Sequence, residues 1–187
     1  MVKKLILIVA IAFAALFNTR AVQAQEDIAD DSAKIQSQAE QFPEAGINTQ
    51  EYQLQRAAMK RVLERYDSQL VDQVDSFLAS SYQYDLDPYL LVSISGLESY
   101  FARYMVQGSY NAYGWGGGWI YFKNWEDGIN TISRALRENY YNKGAASVHD
   151  VGRIYAESPT WSVRVQNFMN QFYKEEKVLK ESLTVLL

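Results

Sequence analysis

Residues 87–99, with the sequence DPYLLVSISGLES, predict a short and strongly apolar helix that decides the fold class. Asp87 can accept hydrogen bonds from free amide groups, and Pro88 at the first helical position removes no donor that the helix needs. Large apolar side chains recur on one face, at Leu90, Ile94, Leu97 and Phe101. Because this spacing is helical, we expect a helix that runs to about Tyr100 and buries that face.

The segments on both sides of this helix also predict helices. From about Glu51 to Tyr82, apolar residues fall three or four positions apart, which indicates amphipathic helices over residues 51–80. The same pattern continues in three later segments, at about Trp125–Gly144, Ser147–Tyr155 and Trp161–Glu175. We therefore expect a mainly α protein with its principal domain at residues 80–175 and a C-terminal tail at residues 176–187.

Glycines and aromatic residues alternate between residues 108 and 118, where five of the ten glycines lie. No regular helix tolerates that density, so we expect a loop followed by a short extended or β element at residues 119–122. Glycine allows a ligand to approach the backbone, and aromatic rings offer flat apolar surfaces. For Tyr113 and Trp115 a binding surface is expected, with a place in the core as the alternative.

The N-terminus has the layout of a secretory signal peptide. Lys3 and Lys4 precede an apolar run at residues 5–17, and Ala24 ends a short segment of small residues. The run is shorter than the roughly 20 residues of a membrane span, so a retained anchor is the weaker alternative. We expect cleavage after Ala24 and an extracytoplasmic protein without stable membrane insertion.

Residues 25–50 are rich in Gln, Glu, Asp and Ala and poor in large apolar groups, which is typical of a flexible spacer. An alternative hypothesis makes residues 25–80 an arm that binds an envelope protein partner.

The chain has a net charge of −4, and the predicted signal peptide holds three basic residues and no acidic one. Such an acidic mature chain argues against nucleic acid as a partner.

The composition also excludes several kinds of site. There is no Cys, so no disulfide framework supports the fold, and His149 is the single His. No pair of His or Cys residues stands at metal-ligand spacing, and no phosphate-binding loop or serine-hydrolase elbow is present. We expect neither a metal nor another cofactor.

Glu98 is the candidate for acid chemistry. Helical periodicity places it at the edge of the core-facing surface, near Ile94. A carboxyl group held against apolar side chains favours its neutral form and can donate a proton to a leaving oxygen, as a glycosidase acid does. A solvent-facing Glu at a helix end is the alternative that periodicity alone allows.

Several motifs, taken in order, resemble the endo-β-N-acetylglucosaminidase branch of the lysozyme-like superfamily. They are Asp87-Pro88-Tyr89, Gly96-Leu97-Glu98-Ser99, Tyr110-Asn111-Ala112-Tyr113-Gly114-Trp115-Gly116, Phe122, Trp125-Glu126-Asp127-Gly128-Ile129 and Tyr155-Ala156-Glu157-Ser158-Pro159-Thr160-Trp161. The resemblance covers roughly residues 80–173 and implies a lysozyme-like helical domain that cleaves β-1,4 bonds in the glycan strands of peptidoglycan. It implies Glu98 as the general acid and Tyr155 as its catalytic neighbour. It also implies substrate-binding positions at Ser99, Asn111 and Tyr113, and we expect Gly114, Trp115 and Glu157 to belong to the same binding site.

The second catalytic group stays open at this point. Glu126, Asp127, Asp150 and Glu157 are candidates by type, and Glu157 is the best placed because it lies in a loop near Tyr155. The first two suit helix capping instead. A mechanism with one acid is the preferred interpretation. The alternatives are a lytic transglycosylase or muramidase of the same fold, and a glycan-binding module without turnover.

Overall fold

The computed structural model describes residues 49–155 and 158–185, which belong to a compact unit spanning residues 47–187. The expected signal peptide and nearly all of the expected spacer lie outside the described residues. The described part of the chain forms α-helices and short 3₁₀ turns and contains no strand. The mainly α fold class is therefore confirmed. Residues 119–122 form no β element, because the chain there is irregular.

Six α-helices account for most of the described residues. They are α1 (Thr49–Arg65), α2 (Val74–Gln83), α3 (Leu90–Ser99), α4 (Trp125–Asn139), α5 (Val148–Tyr155) and α6 (Trp161–Val185). Three 3₁₀ turns lie between them, at Val71–Gln73, Trp115–Gly118 and Tyr141–Lys143. The segment expected to be a C-terminal tail continues α6 as far as Val185.

The helix α3 runs through the middle of the core. Every residue from Leu90 to Gly96 is buried, so the helix is covered around its whole circumference and not on one face alone. A Cβ atom at Gly96 would lie 2.6 Å from Cζ of Phe101, so glycine is what admits this ring. The helix ends at Ser99, and the chain then turns through the left-handed region, with φ 53° at Tyr100.

The long helix α6 brings distant parts of the chain together, because α1, α3 and α5 all pack against it. Arg61 and Arg65 of α1 form ion pairs of 3.3 and 2.6 Å with Glu175 of α6. Tyr66 donates a hydrogen bond of 2.8 Å to Gln171. The packing of α3 on α6 places the end of the first helix beside the start of the second.

None of the helices at residues 49–155 and 158–185 combines the length and the apolar character that crossing a membrane requires.

Candidate functional site

Glu98 lies where α3 leaves the core. Ser95 and Gly96 are buried, whereas Glu98 is exposed and only Ser99 follows it in the helix. Its carboxyl group lines a cleft of about 510 Å³. The other lining residues are Tyr113, Gly114, Trp115, Gly116 and Tyr140. The expectation that apolar side chains enclose this carboxyl group is wrong, because the helix emerges into an open cleft with aromatic walls.

Trp161 holds one oxygen of this carboxyl group. Its indole Nε1 donates a hydrogen bond of 2.8 Å to Oε1 of Glu98, across 63 positions of sequence. The Trp161 ring is 5% exposed, and it packs so closely on α5 that a Cβ atom at Gly152 would lie 3.1 Å from it. A buried ring has little freedom to move, so the donor is fixed in place and fixes the carboxyl group in turn.

The second oxygen of Glu98 faces the glycine-rich loop. A Cβ atom at Gly114 would lie 3.6 Å from Oε2 of Glu98. Gly114 has φ 62°, in the left-handed region, and Gly116 and Gly117 have φ 60° and 68°. Residues with a side chain rarely adopt this conformation, so these glycines shape the turn at the cleft. The carboxyl group thus has one oxygen held by the protein and one directed towards the cleft wall at Gly114.

Asn111 stabilises this turn and does not line the cleft. It is 3% exposed, and its Nδ2 donates to the carbonyl oxygens of Trp115 and Ile120, both at 2.9 Å. Its Oδ1 accepts from the backbone N–H of Trp115 at 3.0 Å. Both N–H donors of this buried side chain are therefore used by the backbone, and the structure gives Asn111 a structural role in place of the expected contact with substrate. An Asn side chain commonly satisfies a turn in this way.

Ser99 also has a structural role in place of the expected contact with substrate. The residue is 4% exposed, and its Oγ donates to the carbonyl oxygen of Ala112 at 2.7 Å. The same oxygen accepts from the backbone N–H of Ala102 at 2.9 Å. These bonds join the end of α3 to the glycine-rich loop, so Ser99 fixes the position of Glu98 relative to the opposite wall of the cleft.

The aromatic walls of the cleft divide into buried and accessible rings. Tyr113 is fully buried, and burial raises the pKa of its hydroxyl group well above the ordinary value. For Tyr113 the alternative expectation, a place in the core, is therefore the correct one, although the residue borders the cleft. Trp115 is half-buried and remains accessible in the cleft. Tyr140 is half-buried as well, and burial raises its pKa, which keeps the hydroxyl group protonated.

Trp161 and Tyr140 are the site residues that sequence reasoning missed. Tyr140 continues the apolar stripe of α4, and that stripe gives no sign that its last ring turns into a cleft. Trp161 closes the last of the motifs that carry the family resemblance. Its place in that motif was the one sign in the sequence that Trp161 belongs to the site. Neither residue spacing nor helical periodicity relates Trp161 to Glu98.

The candidates for a second carboxylate do not line the cleft where they are described. Asp127 accepts a hydrogen bond of 3.0 Å from the backbone N–H of Lys123 at the start of α4, and Glu126 is exposed in the same turn. Asp150 accepts bonds from Ser147 and Ala146 that lower its pKa, the Ser147 bond most. These contacts fit helix capping.

The structure leaves two of the expected site residues open. Tyr155 is the last residue of α5, and its side chain is outside the described part of the structure. Glu157 lies entirely outside the described residues. Their expected roles stay predictions.

Neither the family models nor the curated proteins with which the sequence was compared give a match.

Proposed function

We propose that the protein is an exported, lysozyme-like hydrolase of peptidoglycan glycan strands, with Glu98 as its general acid. The observation that carries this proposal is the placement of the Glu98 carboxyl group in an aromatic cleft, with Oε1 held by Trp161. A glycan hydrolase needs one positioned carboxyl group beside flat surfaces for sugar rings. Trp115 and Tyr140 offer such surfaces within the same cleft.

The two oxygens of Glu98 suit different tasks. Oε1 accepts the indole N–H, so the proton of the neutral carboxyl group belongs on Oε2, which lies at the wall formed by Gly114. Donation of this proton to the glycosidic oxygen allows the bond between that oxygen and the anomeric carbon to break.

The cleft favours a mechanism with a single acid. Among the described residues that line it, Glu98 is the one carboxylate. A hydrolase with two carboxylates needs the second within about 5–9.5 Å of the first. In a mechanism with this one acid, the N-acetyl group of the substrate meets the positive charge on the sugar. Attack by a hydroxyl group of the same sugar is the corresponding route for a transglycosylase.

Zymography on purified cell walls tests the catalytic assignment. Glu98→Gln keeps the shape of the side chain and removes the acidic proton, so we expect clearing by the wild type and none by this variant. Glu126→Gln is the matched control, because Glu126 is an exposed glutamate at a helix end that does not line the cleft. Equal clearing by Glu98→Gln and the wild type would refute the role of Glu98.

Mass spectrometry of the released fragments identifies the reaction. A reducing N-acetylglucosamine end indicates a glucosaminidase, and a reducing N-acetylmuramic acid end indicates a muramidase. An anhydro end indicates a transglycosylase. Binding of cell walls by the wild type without any fragment would favour a glycan-binding module over an enzyme.

A further inference from the structure

Three neighbouring side chains beside the cleft are exposed although they are large and apolar. Trp119 is 80% exposed, Tyr121 is 60% exposed and Ile120 between them is 39% exposed. Single exposed apolar residues are common on protein surfaces, whereas a contiguous group of them marks a binding surface. Exposed Trp and Tyr rings contribute strongly to binding because they bury a large area with few rotatable bonds.

These residues are continuous with the wall of the cleft. The Ile120 side chain lies against Gly116, where a Cβ atom would be 2.6 Å from Cδ1 of Ile120. Cδ1 of Trp119 would be 3.6 Å from a Cβ atom at Gly117. Gly116 lines the cleft, and the carbonyl oxygen of Ile120 is held by Asn111. One hydrogen-bonded turn therefore contains both Trp115, which lines the cleft, and the exposed Trp119, and Tyr121 follows this turn directly in the chain.

The size of the cleft requires a longer substrate to continue beyond it. A volume of about 510 Å³ falls in the range of roughly 300–1,000 Å³ that accommodates a small ligand. A polymer bound there must extend onto the adjoining surface. The exposed rings of Trp119 and Tyr121 directly follow in sequence the residues that form one wall of the cleft, so they offer a surface onto which such a polymer can continue.

The chemistry of this surface favours a sugar chain over a lipid surface. Residues 109–124 contain one charged side chain, Lys123, whereas an anionic lipid surface is bound by clusters of Lys and Arg. Aromatic rings beside uncharged backbone groups match a pyranose ring, which has apolar C–H faces and hydroxyl groups at its edge.

We propose that Trp119 and Tyr121 form a second sugar-binding surface, the outer platform, which stacks sugar rings of a β-1,4-linked glycan beyond the cleft. This inference rests on the proposed function, since it assigns the strand in the cleft to a glycan. The outer platform gives the site a higher affinity for long glycan strands than for short fragments.

Binding of N-acetylglucosamine oligosaccharides to the full chain with Glu98→Gln tests the outer platform without cleavage. A disaccharide fills part of the cleft, whereas a hexasaccharide reaches past it. We expect Trp119→Ala with Tyr121→Ala to weaken hexasaccharide binding about tenfold or more, because each stacked ring contributes a share of the affinity. Disaccharide binding should stay unchanged. Both side chains are exposed, so the folded structure, checked by circular dichroism, should be retained.

Tyr82→Ala is the control, because it removes an exposed tyrosine that packs on Tyr52 of α1 and has no place in the cleft. Equal affinities of the platform variant and its parent for the hexasaccharide would overturn the proposal. A similar loss of affinity for the disaccharide and the hexasaccharide would also overturn it. The same holds if the parent protein binds phosphatidylglycerol vesicles and the variant without the two rings does not.

The outcome is separate from that of the catalytic proposal. Length-dependent binding without cell-wall clearing by the wild type would refute hydrolysis and leave the outer platform supported. Clearing that depends on Glu98, with no effect of the two rings on the hexasaccharide, would refute the platform alone.

Discussion

Replacement of Trp161 by Phe removes the N–H group that holds Glu98 and keeps a buried aromatic ring. The hydrogen bond from Nε1 to Oε1 is 2.8 Å long, and its donor ring is almost fully buried. If the proposed acid works only when its carboxyl group is fixed, this variant should lose turnover while the cleft keeps its shape.

The size of the loss follows from the bond that is removed. The Glu98 carboxyl group becomes negatively charged as its proton leaves in the transition state, and a hydrogen bond to a charged group contributes about 1.5–3 kcal/mol. Each 1.36 kcal/mol of barrier changes a rate by about tenfold. We therefore expect kcat to fall roughly 10- to 100-fold, with little change in KM. The smaller ring should also lower the free energy of unfolding by about 1 kcal/mol, because it leaves unfilled volume.

Steady-state kinetics on soluble glycan strands measures this effect, with Trp125→Phe as the matched control. Trp125 is also the first residue of its helix and packs edge-on against Tyr110 at 5.2 Å, but it does not line the cleft. Its substitution should alter stability without a comparable fall in kcat. Thermal unfolding of both variants separates the loss of packing from the loss of positioning.

A double-mutant cycle with Glu98→Gln decides whether Trp161 acts through the acid. When the acid is already absent, the Trp161→Phe change should have no further effect on residual turnover. Additive losses in the cycle, or a kcat for Trp161→Phe equal to that of the wild type, would refute the reasoning.

Two further predictions concern the loop and the pH dependence of stability. Gly114→Ala should lower stability by about 1–2 kcal/mol, because a left-handed backbone opposes a Cβ atom, and should also impair activity through its approach to Glu98. Gly108→Ala has the same backbone strain, at φ 75°, with no atom within 4 Å, so it should lower the melting temperature and leave activity intact; equal activity losses would contradict the prediction. Arg56 lowers the pKa of Asp75 below its ordinary value by hydrogen bonding, so the stability that Asp75 contributes is present above about pH 4 and lost as the pH falls through the lower folded pKa. Urea unfolding should show a shallower acid loss for Asp75→Asn than for the wild type, and parallel curves would exclude the effect.

Local sequence signals were informative about helices because their causes are local. The spacing of apolar residues indicated the helices. Asp87 accepts the backbone N–H of Tyr89 at 2.8 Å, but the expected start of α3 at Pro88 is wrong, because the helix begins at Leu90 after a turn. The helix at Trp125 begins where its acidic first turn indicated. The end of α6 was missed, since its last turns carry charged residues with no sharp stop before Val185.

Local patterns failed where a residue type serves two purposes. Asn111 and Ser99 bond to the backbone, and Tyr113 is buried, although all three residue types are also common in sugar-binding grooves. A sequence motif records that a side chain is present but not which way the loop turns it. The direction depends on the left-handed glycines and on the core behind them.

Three properties could be predicted from the amino-acid sequence: the mainly helical chain, the glycine-rich loop after α3, and the position of Glu98 at a helix end. These properties depend on contacts within a few residues. The placement of Glu98 in an aromatic cleft, and the hydrogen bond from Trp161, 63 positions later, to one of its oxygens, depend on the folded arrangement of the helices. The physical reason is that this bond depends on the packing of α3 against α6, which no periodicity within either helix specifies.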